Sequence, residues 1–257
     1  MLESVDVKQC AMAVKALQEY QKKTHAEAKG LLSKEETFIT MSFTMTNLPE
    51  TPSNRPQLIK IPHPFYSAAE NTRICIFVKD PARAFKDQIQ DMDLPCVAKV
   101  IGFDKLKRNF HQFKDKRTLH KEYDTFLSDL RVYKMLPEQL GKEFYANKKY
   151  PVPIKVHDLD KKELKEQLNV ASAATQFMQG NGPNYSLKIG RTNQKATDVA
   201  LNAQQALAQA LAYLTCHESE RIGFANVAQV SLKVEGSPDL PIFNQLSAAD
   251  LGAYQGK

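Results

Sequence analysis

The sequence lacks the features that would mark a secreted or membrane-spanning protein. Its four cysteines, Cys10, Cys75, Cys96 and Cys216, form no Cys-x-x-Cys pair, and their surroundings predict buried, reduced thiols. No apolar run approaches the roughly 20 residues needed to span a bilayer, and the N-terminus carries acid early without a long apolar segment. We therefore expect an intracellular protein with no membrane partner. A dense lysine and arginine run is also missing, so no nuclear targeting signal is visible.

The sequence also lacks the motifs of common catalytic and nucleotide-binding sites. It contains neither G-x-x-x-x-G-K-[ST] nor G-x-G-x-x-G, and Gly180 and Gly182 precede a predicted strand, where they indicate a turn. The six histidines are scattered and no H-E-x-x-H occurs. Asp124 and Asp129 flank a short predicted strand, either as a carboxylate pair for acid–base chemistry or as turn residues. We expect no catalytic residue, metal, cofactor or small-molecule substrate.

Positive charge is the main global feature of the chain. The formal net charge is +6 and the sequence pI is about 9.0, whereas 42% hydrophobic and 25% charged residues are ordinary globular values. A length of 257 residues fits one or two compact units. The basic balance is consistent with a polyanionic partner and, equally from charge alone, with a protein that is merely basic.

The hydrophobic pattern changes twice along the chain. Residues 37–45 alternate apolar and hydroxyl side chains, and residues 226–235 form a late strand with one slip of phase that fits a bulge. Between about residues 68 and 150, nearly continuous apolar strands alternate with helices, as in a small parallel sheet. Within this middle region, Leu106, Phe110 and Phe113 are expected to face inward from a single helical segment.

This change of pattern predicts a split domain with a second domain inserted into it. The chain ends have α+β character and the middle is α/β, so the first and last strands should lie in one sheet. Two chain crossings, near Tyr66–Thr72 and near Tyr150–Ile154, would form a double hinge. The expected domains are a discontinuous α+β domain over residues 1–67 and 154–257 and an inserted α/β domain over residues 68–153.

A hydroxyl-rich strand face is the first candidate binding surface. Thr40, Ser42 and Thr44 share one face of the early strand, and Lys188 and Lys233 belong to other strands of the same predicted sheet. Short donors on a rigid sheet can reach ribose hydroxyls and phosphates across the shallow groove of RNA. The same pattern also fits the solvated side of any antiparallel sheet.

A basic segment of the middle region is the second candidate. Such residues can neutralise phosphates, but acidic residues are interleaved with them, so a mixed solvated helix face is the alternative. The predicted secondary contact comprises Lys105, Lys107, Arg108, Lys114, Lys116, Arg117, Lys148 and Lys149.

Five segments, in order and spacing, carry a family pattern. They are IPHPF (61–65), ICIFVKD (74–80), FLSDLRVYKMLPEQLGKEFYANKKYPVPI (126–154), YSLKIG (185–190) followed by Asn202, and SLKVEGSPDLPIF (231–243). The sequence thereby resembles the ribosomal protein L1 family, and more closely its nucleolar assembly-factor branch. The resemblance implies the split fold with a Rossmann-like insertion. It also implies RNA contact through the first domain, which adds Phe38, Gly236 and Ser237 to the candidate residues.

The loop that follows the late strand differs from the corresponding loop of the family's large-subunit stalk proteins. They carry a Thr-Met-Gly-rich loop, whereas this chain has Val234-Glu235-Gly236-Ser237-Pro238, which brings a negative charge toward the phosphate position. This departure argues against the stalk protein itself and fits the nucleolar branch. Many members of that branch continue past L-P-I-F with a lysine-rich tail, so we expect a compact member or a trimmed chain.

The resemblance implies a non-enzymatic ribosome biogenesis factor in the nucleus and nucleolus. Its expected partners are precursor ribosomal RNA and pre-ribosomal proteins, which it would bind as a monomer within a large particle, with the small-subunit processome favoured. One alternative is a protein-interaction adaptor with little direct RNA contact, which Glu235 and the interleaved acids favour. A large-subunit stalk protein and an enzyme built on the inserted domain are the remaining alternatives.

Overall fold

The computed structural model describes residues 5–27, 37–47, 55–65, 73–92, 96–146, 148–156, 161–215 and 224–245. The chain divides into two compact units. We call them the discontinuous unit, residues 1–54, 59–65 and 175–257, and the inserted unit, residues 55–58 and 66–174.

The described residues form helices and strands in an order that matches the predicted change of pattern. The helices are α1 Val7–Glu27, α2 Ala82–Asp91, α3 Phe103–Asn109, α4 Phe113–Glu122, α5 Leu136–Leu140, α6 Lys142–Tyr145, α7 Lys161–Ala173 and α8 Ala196–Thr215. The strands are β1 Phe38–Met45, β2 Gln57–Lys60, β3 Ile74–Val78, β4 Val97–Gly102, β5 Thr125–Asp129, β6 Val152–Ile154, β7 Ala174–Phe177, β8 Asn184–Arg191, β9 Val227–Lys233 and β10 Leu240–Asn244. Within the described ranges, no helix is long and apolar enough to cross a membrane.

The discontinuous unit is built on an antiparallel sheet of strand order β10-β9-β1-β8. The alternate residues of β1 are buried, and α1 and α8 contact each other and the sheet. The register of β9 against β1 skips Ala228, which confirms the bulge that the phase slip indicates. Strands from the two ends of the chain therefore pair directly, as the split fold requires.

The inserted unit is built on a parallel sheet of strand order β4-β3-β5-β6. Every residue of β3 and β5 is buried, because helices cover both faces of the sheet. One face packs Ile76 and Leu127 against α2 and α7, and the other packs Phe77 and Phe126 against α3 to α6. Both parts of the chain thus have the α+β and α/β classes predicted for them.

The return from the inserted unit lies later in the chain than the sequence pattern indicates. Residues 150–154 are expected to lead back to the first domain, whereas Val152–Ile154 is β6, which pairs with β5 in the inserted sheet. Leu164 and Leu168 of α7 then pack on the same core, so this helix also belongs to the inserted unit. The division falls between Ala174 and Thr175, within β7, which pairs with β2. The other predicted crossing, Tyr66–Thr72, lies outside the described residues.

The segment that was expected to be one helix is two helices, α3 and α4. Leu106 is buried and Phe110 is partly buried against the core, as predicted, but Phe113 is 65% exposed. The prediction that Phe113 faces inward is therefore wrong. The interruption at residues 110–112 resets the helical phase, so that Leu119 is the buried residue of α4.

The close approach of β8 to α8 gives a first testable prediction. A Cβ atom at Gly190 would lie 2.7 Å from Val199 Cγ2 and 2.9 Å from Gln194 Oε1. Gly190→Ala should therefore lower the free energy of unfolding by about 1–3 kcal/mol, the usual cost of overpacking. Denaturant titration of purified protein measures this. Gly182→Ala is the control, because its Cβ would meet nothing within 4 Å. Equal stability of the Gly190→Ala variant and the parent would contradict the prediction.

Candidate nucleic-acid interface

The predicted polar residues of the discontinuous unit form rows across one face of its sheet. Thr40 is opposite Lys188 on β8 and opposite Lys233 on β9, so one hydroxyl lies between two lysines. Ser42 is opposite Ser186 and Ser231 in the same way. Two strand spacings separate the outer members of a row, which places the Lys188 and Lys233 backbones roughly 10 Å apart. We call this surface the polar sheet face.

Hydrogen bonds fix the hydroxyl groups of Ser42, Ser231 and Thr44 on the polar sheet face. The Ser42 and Ser231 Oγ atoms are 2.8 Å apart, and Thr44 Oγ1 donates to Asn184 Oδ1 at 2.7 Å. Each bond joins β1 to a neighbouring strand, so the rotamers are set before any ligand arrives. The face therefore presents an ordered array of donors and acceptors beside the two lysines.

Phe38 holds cations at one end of the polar sheet face. Lys188 Nζ lies 4.5 Å from the centroid of the Phe38 ring, and Arg191 Cζ lies 5.4 Å from it. The ring itself packs edge-on against Phe65 at 6.0 Å. Arg191 is not among the residues predicted from the sequence. It is opposite Phe38 in the β1–β8 register, where a register shift after Ile39 alters the simple alternation.

Gly236 and Ser237 form the turn after β9. Gly236 has φ +78°, the left-handed region that favours glycine, and the Ser237 amide donates to Val234 O at 3.0 Å. Ser237 Oγ also accepts from the Val234 amide at 2.9 Å, so this hydroxyl supports the turn. Lys233 Nζ lies 3.9 Å from Asp239 Oδ1, and both side chains are about half exposed, so the pair is weak.

Six residues of the predicted secondary contact lie on α3 and α4 of the inserted unit. The side chains are exposed or half-buried, and some have neighbours: Lys107 Nζ lies 4.7 Å from the Phe103 ring centroid, and Arg117 Nε donates to Glu143 at 2.9 Å. These contacts leave most of each charge in solvent. The six residues are Lys105, Lys107 and Arg108 on α3, and Lys114, Lys116 and Arg117 on α4.

Lys148 and Lys149, the other members of that predicted contact, differ from each other. Lys148 is exposed with φ +52°, whereas Lys149 Nζ donates to the carbonyl oxygens of His120 and Tyr123, each at 3.0 Å. Burial lowers the pKa of Lys149 below its ordinary value. The ammonium group binds the carbonyl end of α4, where a cation is favourable. The geometry therefore assigns Lys149 to the fold and removes it from the candidate contacts.

Asp124 and Asp129 do not form a carboxylate pair. They lie at opposite ends of β5, which puts them roughly 16 Å apart at the usual rise of a strand. Asp124 accepts a hydrogen bond from the Arg73 amide at 3.1 Å, and Asp129 accepts from Arg131 Nη2 at 2.7 Å. Both carboxylates therefore hold loops at the strand ends, as turn residues do.

A cavity of about 590 Å³ lies at the carboxyl ends of β3 and β5. Parallel α/β sheets commonly bind ligands at this edge. Its charged lining does not suit a phosphate group, because aspartates outnumber cations and Arg131 is already bound by Asp129. This cavity therefore gives no support to the alternative of an enzyme built on the inserted domain. The charged lining residues are Lys79, Asp80, Asp87, Asp91, Asp129 and Arg131.

The described thiols are protonated and buried or partly buried. Burial raises the pKa of Cys10 and of Cys75 to about 12, and it also raises the pKa of Cys96. A thiol of this kind is a poor nucleophile. Cys216 lies outside the described residues. In the part of the chain that the structure describes, no group of three His, Cys, Asp or Glu side chains is placed to hold a metal ion.

The split fold defines a two-domain protein, with a discontinuous α+β unit and an inserted α/β unit. Residues 17–238 match the family model described as "Ribosomal protein L1p/L10e family". Because this match covers most of the sequence, the chain belongs to that family. The match confirms the resemblance drawn from the five segments and the fold class that it implied.

Curated relatives match over most of this chain. A protein of Schizosaccharomyces pombe, whose name assigns it provisionally to ribosome biogenesis, is 32% identical over 79% of this chain and 52% of its own length. The mouse protein "Ribosomal L1 domain-containing protein 1" is 25% identical over 95% of this chain and 52% of its own length. The Saccharomyces cerevisiae "Ribosome biogenesis protein UTP30" is 23% identical over 95% and 93%. The chain thus spans about half the length of the first two relatives.

Proposed function

We propose that this protein is a non-enzymatic ribosome-assembly factor that binds folded precursor ribosomal RNA through the polar sheet face. The observation that carries the proposal is the row in which Lys188 and Lys233 flank Thr40 on a rigid sheet. The names of the fission-yeast and budding-yeast relatives support a role in ribosome biogenesis.

The chemistry of the polar sheet face suits double-stranded or folded RNA. An A-form helix presents 2′-hydroxyls and phosphates across a wide, shallow minor groove, which side chains reach without entering deeply. The two lysines, whose backbones lie about 10 Å apart, would neutralise phosphates, and the hydroxyls of Thr40, Ser42 and Thr44 would contact riboses between them. No base edge needs to be read, so recognition depends on the shape of the RNA.

The proposed setting is a pre-ribosomal particle in the nucleolus, where the protein would take part in rRNA processing. UTP30, which this chain matches over nearly its whole length, is named as a ribosome biogenesis protein. As the particle we favour a precursor of the small subunit, the small-subunit processome. The exposed lysines of α3 and α4 would make a second contact there, to RNA or to an acidic protein surface.

The alternative of a protein-interaction adaptor rests on specific acidic residues. Asp239 approaches Lys233, and exposed Glu235 begins the turn after β9, so part of the positive charge near this end of the face is offset. An adaptor would be held in the particle by contacts with other proteins and would make few contacts with RNA. One experiment on the particle can therefore distinguish the two functions.

Cross-linking in cells separates the two functions. Cells that contain the tagged protein are irradiated, and the protein is purified under mild salt. The co-purifying RNA is then sequenced, and the cross-linked peptides of the protein are mapped. RNA adducts on β1 and β8 with co-purifying precursor rRNA support the proposal. Particle association that persists without adducts on these strands supports the adaptor. A purified particle without ribosomal transcripts would refute both.

A further inference from the structure

Phe113 is an exposed aromatic residue in the most basic segment of the inserted unit. Its exposed fraction is 65%, and the neighbouring His111, Gln112 and Lys114 are also exposed. The phenyl ring is not part of the core in this position, where α4 instead contributes Leu119. A ring held on the first turn of a helix is available to a ligand.

Two cations share the side of α4 on which this ring lies. Lys116 and Arg117 follow Phe113 at helical spacings of three and four residues, which places them on its side of α4. Lys116 Nζ lies 5.6 Å from the ring centroid, and Arg117 is held by Glu143 at 2.9 Å. Residues 103–122 contain seven lysines and arginines against three acids, a net +4 in a chain of net charge +6. The surface around the ring therefore attracts a polyanion.

An RNA strand fits this surface better than an apolar protein. Protein interfaces bury a contiguous apolar core, and within the described part of the inserted unit the other exposed large hydrophobic residues, Leu130 and Met135, lie after β5 and outside α3 and α4. A single aromatic ring among lysines is instead the arrangement that binds single-stranded nucleic acid, with a base stacked on the ring and phosphates on the cations.

We propose that Phe113 is a stacking platform for an unpaired RNA base, with Lys114 and Lys116 contacting the flanking phosphates. This inference rests on the proposed function for its RNA partner, and it adds a contact specific to single strands. The polar sheet face would hold folded RNA, while α4 would hold an unpaired nucleotide. Stacking is tolerant of sequence, so this contact would select unpaired bases of any kind.

Because the sequence contains no tryptophan, the variant Phe113→Trp carries a single fluorescent indole at the proposed platform. A saturating concentration of a short single-stranded RNA should quench this fluorescence. An oligonucleotide of equal length with abasic sites should quench it much less. The control is Leu130→Trp, at an exposed position of the same unit, which should not be quenched. Absence of quenching in Phe113→Trp, or equal quenching in Leu130→Trp, would overturn the inference.

Affinity measurements complete the test and separate it from the proposed function. Phe113→Ala should weaken binding of the single-stranded RNA by roughly 5- to 100-fold, as loss of one stacked base does, and leave affinity for a fully paired RNA unchanged. Equal loss on both RNAs, or loss on neither, would contradict a stacking platform. If Lys188→Ala/Lys233→Ala leaves folded-RNA binding intact while Phe113→Trp is quenched, the sheet proposal fails and this inference stands.

Discussion

Replacing Lys188 and Lys233 together by alanine should lower the affinity for a folded rRNA fragment and reduce its dependence on salt. The two lysines occupy the strand positions on either side of Thr40 in one row of the sheet, so they would neutralise two phosphates. Losing two phosphate contacts should reduce the log–log salt slope by about 1.4–1.8, which is roughly a 25- to 60-fold weaker affinity at 0.1 M salt if the value at 1 M is unchanged. Equilibrium titrations at several salt concentrations measure both quantities.

A matched charge change elsewhere on the same unit serves as the control. Lys8 and Lys15 are exposed on α1, on one side of the helix, and their replacement by alanine removes the same formal charge. This control should change the slope little, because the two lysines lie on a helix outside the polar sheet face. An unchanged slope in the Lys188→Ala/Lys233→Ala variant would rule out that face as the RNA contact. Equal effects of both variants would indicate non-specific attraction by net charge.

The sequence predicted which residues share the polar sheet face, because alternation along a strand fixes sidedness locally. Thr40, Ser42 and Thr44 are half-buried on one side of β1, and their neighbours are buried on the other. The pairing of Thr40 with both Lys188 and Lys233 could not be predicted in this way. Register depends on bulges and on contacts between residues about 150–190 positions apart in the chain, and local periodicity carries no information on these.

The errors of the sequence analysis share a different cause, which is packing outside the local window. Pro151 and Pro153 indicate a stiff crossing, yet β6, which contains Pro153, completes the inserted sheet. Helix α7 then covers that sheet before the chain returns. The sequence around Lys149 predicts a surface cation, but its ammonium group is bound by the carbonyl oxygens of His120 and Tyr123, which lie more than 25 positions earlier in the chain. Phe113 fits a helical stripe only if the helix is continuous from α3 to α4.

Replacing Asn202 by alanine should destabilise the discontinuous unit strongly. Asn202 is 0% exposed, and its Nδ2 donates to the carbonyl oxygens of His63 and Ile189 at 2.7 and 2.9 Å, while its Oδ1 accepts from the His63 amide at 2.9 Å. Alanine would leave three backbone groups without this partner, one of them fully buried. We expect a loss of about 2–4 kcal/mol in the free energy of unfolding, measured by denaturant titration.

Gln209 on the same helix provides a matched control, since its amide also joins α8 to backbone. Its Oε1 accepts from the Lys60 amide at 3.0 Å and its Nε2 donates to Lys60 O at 2.7 Å, but these bonds are solvent-exposed. Water can replace an exposed bond, so Gln209→Ala should cost about 1 kcal/mol or less. Similar losses in the two variants would show that burial does not decide the effect. A large loss in Asn202→Ala alone would explain chemically why an asparagine accompanies the YSLKIG segment: it ties β8, α8 and the IPHPF segment together through one buried and two partly buried hydrogen bonds.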